Sequence, residues 1–118
     1  MKTLMTVLAG VALFAVAGAS GAADLEAGKA AYSKTCVACH GADGKTPTLP
    51  TYPILAGQHR DYLVHALKSY QRGVAGGSPA SNIRKNAVMG AMAAPLSLED
   101  IENIAAWLAE QPSPLAVR

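Results

Sequence analysis

Cysteine is scarce in this chain, with two in 118 residues. A disulfide framework is argued against, because Cys36 and Cys39 are separated by only two residues and a bridge between them would close a tiny loop. A structural zinc site needs four ligands, and there is no second cysteine pair to supply them. Aromatic residues are few, at 5%, with one Trp and one Phe, and Phe14 falls in an N-terminal apolar run. A small domain with so few large side chains can bury only a modest core of its own. A large flat apolar cofactor would supply much of what is missing. Charge is thin as well: 15% of residues are charged, and the formal net charge is +2, or +1 without Lys2. That balance is too weak to argue for nucleic acid or for a strongly acidic partner, and no nucleic acid is expected. No stretch alternates as a strand, and there is no internal repeat, low-complexity tail or second domain.

The 51% hydrophobic composition is inflated by the N-terminus. Lys2 is a minimal positive region, Leu4 to Ala19 is an apolar run, and Ala19-Ser20-Gly21-Ala22-Ala23 is a small-residue cleavage zone. The run is short for a spanning helix, which needs about 20 apolar residues. An uncleaved anchor is the lesser reading. Residues 1–23 are therefore expected to be a cleavable secretory signal peptide, with the cut after Ala22 or Ala23, and residues 24–118 a single domain. That domain is expected to be exported to the periplasm, with no membrane insertion after cleavage.

The two cysteines fall in Cys36-Val37-Ala38-Cys39-His40. This C-x-x-C-H spacing is the attachment signature of a c-type haem. Each thiol can add across one vinyl group of the porphyrin, and the adjacent histidine supplies an axial nitrogen to iron. A thioredoxin-like redox pair is the competing reading, but it expects a βαβ context that the chain lacks. One haem c, with its iron, is expected per chain.

Asp24 caps a first helix running through Leu25 and Tyr32 toward Cys36. Gly41 to Pro53 is a loop broken by glycines and prolines. A second helix is expected from about His59 to Gln71, because Leu63, Ala66, Leu67 and Tyr70 share one face, with Gly73 as its stop. Residues 73–86 read as a flexible loop, and residues 87–96 carry Met89, Met92 and Pro95, with Met89 expected in a loop before the well-capped last helix. A last helix starts at Ser97 with a capping box to Asp100 and ends near Gln111-Pro112. The fold class is all-α.

An electron carrier that binds no small molecule needs a sixth iron ligand beside His40. Met89, Met92, His59, His65 and lysines are the candidates outside the leader. A thioether favours ferrous iron and raises the potential. Taken singly, either methionine is ordinary core filling. His59 and His65 are expected to face solvent, six positions apart on the second helix. Arg60, Tyr70 and Arg84 are candidates for pairing with haem propionates, their alternative being solvated surface.

Further residues add to the motif: Gly28, Tyr32, Gly41, Asp43-Gly44, Tyr52 through Gln58, Tyr62-Leu63, Leu67, Tyr70, Met89, Pro95-Leu96-Ser97, Asp100-Ile101 and Ile104 through Leu108. With them, residues 24–118 resemble a monohaem class I c-type cytochrome, similar to one half of the bacterial periplasmic dihaem cytochromes c. The resemblance implies a small class I cytochrome c fold wrapped around one covalently bound haem. It points to Met89 as the axial thioether, with Met92 as the fallback. It implies that the Pro53 carbonyl accepts a hydrogen bond from His40. It also implies a close crossing of the first and last helices at Gly28, with Tyr32 near Trp107.

The function expected is one-electron transport in a respiratory chain, without catalysis. A quinol-oxidising complex or a dehydrogenase would be the donor, and a terminal oxidase or reductase the acceptor. The alternatives are a haem enzyme or gas- or peroxide-binding protein with a labile sixth ligand, and a haem subunit of a larger oxidoreductase complex.

Overall fold

The computed structural model describes residues 21–78 and 82–115, so most of the expected signal peptide lies outside the described residues. Five helices and no strand occur among the described residues: α1 (Leu25–Thr35), α2 (Val37–His40), α3 (Arg60–Val74), α4 (Ala87–Ala93) and α5 (Leu98–Glu110).

The frame is the crossing of α1 and α5. The Asp24 carboxylate accepts from the Ala27 N–H at 2.9 Å and starts α1. The Asp24 N–H donates to Asn103 Oδ1 at 2.8 Å, tying that start to α5. Gly28 lies where the helices touch: a Cβ there would stand 2.1 Å from the Asn103 carbonyl oxygen, so only glycine permits the approach. One turn on, Tyr32 is fully buried against Trp107, ring centroids 4.9 Å apart and tilted by 42°. A pair of this geometry contributes about 0.5–1.5 kcal/mol beyond area burial. The Tyr32 hydroxyl donates to the Gly41 carbonyl at 2.7 Å, which fixes the chain just past α2. Leu63 of α3 joins Ile104, Ala105 and Leu108 of α5 in the same core.

The second helix runs farther than expected. Gly73 is inside α3, and a Cβ there would meet the Arg84 carbonyl oxygen at 2.0 Å, so this glycine serves a close approach and not a stop. The helix closes at Gly76, in the left-handed region at φ +77°, with the Gly77 N–H donating to the Arg72 carbonyl at 3.0 Å. This is the 6→1 bond of a Schellman ending. The segment after it is not wholly irregular either. Asn86 accepts from the Val88 and Met89 N–H groups at 3.1 and 2.9 Å and caps α4, so Met89 sits in the first turn of a helix and not in a loop. Gln71 Nε2 donates to the carbonyls of Ala93 and Leu96 at 2.9 and 2.8 Å, fastening the end of α4 to α3. Ser97 and Asp100 form the expected capping box.

Candidate functional site

α2 and the loop after it build one wall of a cavity of about 410 Å³. Cys36, Cys39 and His40 line it, and so does Pro53. The loop reaches this position because the Leu55 and Ala56 N–H groups both donate to the Gly44 carbonyl, while the Gly57 N–H donates to the Leu108 carbonyl at 2.8 Å. His40 is buried, and its Nδ1 lies 3.1 Å from the Pro53 carbonyl oxygen. A carbonyl can only accept, so Nδ1 is the donor, and this leaves Nε2 as the nitrogen whose lone pair a metal would take. Tyr52 lies beside this ring, centroids 6.2 Å apart.

Burial, and then the neighbouring Cys39, pushes the Cys36 thiol up to about 11. A thiol held protonated in this way is a poor redox nucleophile at neutral pH, which argues against the thioredoxin-like reading. Thioether formation would remove the proton altogether and leave an uncharged sulfur in an apolar wall.

A second contribution to the cavity comes from α4. Met89 and Met92 both line the cavity, three residues apart. Met89 is half-buried, whereas Met92 is 42% exposed. Leu55, Leu63, Ala66, Leu67, Ile104 and Leu108 supply further apolar lining. His59 and His65 are exposed and do not line the cavity, in keeping with their expected solvent positions.

Of the three candidates for a carboxylate partner, Tyr70 and Arg84 line the cavity and Arg60 does not. Arg60 donates to Glu102 of α5 at 2.8 Å, a surface ion pair 42 positions apart in sequence. Arg84 lies between two rings, its Cζ 5.5 Å from the Tyr62 centroid and 5.6 Å from that of Tyr70. Its Nη2 donates to the Tyr62 hydroxyl at 3.1 Å. Hydrogen bonds to Tyr62 and then Tyr70 raise its pKa and hold the cationic form. The contact of Tyr62 with Arg84 crosses 22 positions and has no signal in spacing.

The residues present fit a haem. Two thiols stand at attachment spacing beside a buried imidazole whose tautomer is fixed, and thioethers and apolar side chains complete the enclosure. Pockets of a few hundred Å³ with mostly apolar walls and few polar groups are the usual form of cofactor sites.

The comparisons agree with this reading. The family model for cytochrome c matches residues 25–112. Cytochrome c4 of Stutzerimonas stutzeri is 39% identical over 110 residues, covering 93% of this chain and 50% of that protein. Cytochrome c-554(548) of Halomonas halodenitrificans is 46% identical over 77 residues, covering 65% of this chain and 84% of that protein. The crystal structure of reduced recombinant cytochrome c4 from Pseudomonas stutzeri superposes with a TM-score of 0.66 at 41% identity, over 77% of this chain and 47% of that one. The chain spans about half the length of the cytochromes c4 it matches. No helix among the described residues is long and apolar enough to cross a membrane. The chain belongs to the cytochrome c family, with a class I fold similar to one half of cytochrome c4 and haem c attached through Cys36 and Cys39.

Proposed function

We propose that the protein is a periplasmic one-electron carrier in which His40 and Met89 are the two axial ligands of the haem iron. The observation that carries this reading is that His40, with Nδ1 committed to Pro53, and the half-buried Met89 line the same cavity as Cys36 and Cys39. Haem supplies a one-electron Fe(III)/Fe(II) couple. The protein's part is to hold both donors and to exclude water. Pro53 orients the imidazole and makes it a better donor. The Asn86 cap and the two Gln71 hydrogen bonds hold the α4 backbone that carries the thioether. A soft neutral sulfur favours the ferrous state. Met89 is preferred to Met92 because its greater burial suits a ligand inside the cavity.

Carriage is preferred to catalysis because the described cavity lining contains no Asp, Glu or Lys and no histidine besides His40. Small-molecule haem chemistry calls for an acid or base beside the open iron position. Export follows the leader-like residues 1–23, and the partners are redox proteins meeting the cavity mouth in brief, small contacts. A quinol-oxidising complex or dehydrogenase as donor, and a terminal oxidase or reductase as acceptor, fit that role.

The absorption spectrum of the holoprotein tests the ligation. Low-spin ferrous bands, a weak ferric iron–thioether band and no response to carbon monoxide are expected. Met89→Ala should abolish the thioether band, lower the potential and admit carbon monoxide, while Met92→Ala should do none of these. The reverse pattern would transfer the role to Met92. A wild-type high-spin spectrum that shifts with carbon monoxide would refute the carrier reading.

A further inference from the structure

We propose that Arg84, clamped between Tyr62 and Tyr70, is the binding residue for a carboxylate of the haem. This rests on the reading of the cavity as a haem site. A haem carries two propionates, and burying a carboxylate is costly unless it is paired and hydrogen-bonded. The cavity wall is otherwise ill equipped to pair one. Among the described lining residues Arg84 is the one side chain with a permanent charge. No acidic side chain lies in that lining to compete for it, and the two ion pairs among the described residues join Arg60 and Lys68 to Glu102.

The guanidinium is also positioned in advance. Two ring faces hold its plane at 5.5 and 5.6 Å, and the Tyr62 hydroxyl takes one N–H. Its main chain is fixed as well, by the Arg84 N–H donating to the Ser69 carbonyl at 3.0 Å and by the close packing of Gly73. A guanidinium has five N–H donors in a rigid fork that matches a carboxylate. Holding that fork beforehand reduces the entropy lost when the carboxylate binds. In the competing role, Arg84 merely staples residues 82–86 to α3.

The reduction potential of the holoprotein separates the two roles. Removing a cation beside the haem favours ferric iron. Arg84→Gln should therefore lower the ferrous-to-ferric ratio at fixed ambient potential by about tenfold, a downward shift of about 59 mV for a one-electron couple. The thioether band should persist, and Arg84→Lys, which keeps the charge, should stay within about threefold of wild type. An unchanged potential in Arg84→Gln overturns the proposal. So does loss of the thioether band, which would mean that Arg84 acts through α4, and so does an equal shift in Arg84→Lys. Should Arg84→Gln not accumulate, Arg84→Lys decides alone, a shift beyond threefold counting against. A normal wild-type haem spectrum with an unmoved Arg84→Gln potential defeats this inference only; failure of the wild type to take up haem defeats the site reading beneath it.

Discussion

Cys36, Cys39, His40 and Met89 line the same cavity, yet the elements that carry them are held in different ways. The attachment wall stands on the α1–α5 crossing, where Gly28 meets Asn103, Tyr32 packs on Trp107, and buried aliphatic residues of α5 complete the core. The methionine wall stands on a seven-residue helix whose Val88 is 58% exposed and whose Met92 is 42% exposed. It is held by Gln71, the Asn86 cap and the tight contact of Gly90 with Val74. Core packing sets global stability, whereas a wall held by a few hydrogen bonds can open without unfolding the rest. With the proposed ligation by His40 and Met89, the histidine side should therefore be as durable as the fold, and the methionine side more easily displaced.

Trp107→Ala carries the largest expected effect. Trp107 is 8% exposed, and its loss leaves Tyr32 without its ring partner. Truncation of a buried Trp costs about 3–5 kcal/mol. Denaturant unfolding of the holoprotein should show that loss, while the ferrous spectrum below the transition stays indifferent to carbon monoxide. Carbon monoxide binding by folded Trp107→Ala protein would break the division between the walls.

Gln71→Ala should do the opposite. It leaves the Ala93 and Leu96 carbonyls without their shared donor, a local cost of about 1–3 kcal/mol. Carbon monoxide should now bind the ferrous protein slowly, with a smaller loss of global stability than for Trp107→Ala. An unresponsive spectrum would show that α4 does not depend on this tether. Asn86→Ala removes the α4 cap and should cost about 1 kcal/mol. Its signature should be a weakened ferric thioether band at temperatures where far-ultraviolet helix content is intact; loss of both together would join α4 to the global unfolding unit.

The same division governs what could be read from the residues alone. The attachment wall was legible because its chemistry is local. Five consecutive residues carry it, Asp24 announces α1, and Ser97 with Asp100 announces α5. The crossing at Gly28 and the Tyr32–Trp107 pair followed from the family resemblance and not from periodicity. The methionine wall was poorly legible. Ala87-Val88-Met89-Gly90-Ala91-Met92-Ala93 is too short and too uniformly apolar to display a face, and its one signal is the capping asparagine before it. Gly73 reads as a helix stop yet sits inside α3, because glycine serves two needs, left-handed backbone and close approach, and composition does not say which. Arg60 and Arg84 were indistinguishable as charges; one answers to Glu102 and the other to two tyrosines, and both partnerships are set by tertiary contact.

Asp100→Asn carries the smallest effect and bears on the junction between the α4 segment and α5. The Ser97 N–H donates to the Asp100 carboxylate at 3.0 Å while Ser97 Oγ accepts from the Asp100 N–H, so the box fixes where the methionine segment ends and α5 begins. The hydrogen bond from the Ser97 backbone, and then that from its side chain, lowers the Asp100 pKa below its ordinary value. A carboxylate with a depressed folded pKa contributes stability that is fully present above the unfolded value of about 3.9 and is lost as pH falls through the folded value. Because the carboxylate is close to solvent, screening keeps the contribution small. Wild type should therefore exceed Asp100→Asn in stability at neutral pH, and the gap should narrow below about pH 4 and close at lower pH. Urea titrations of both proteins across that range measure it. A gap that stays constant into acid would mean that the asparagine fails by shape and not by charge, and that the box is held by geometry alone.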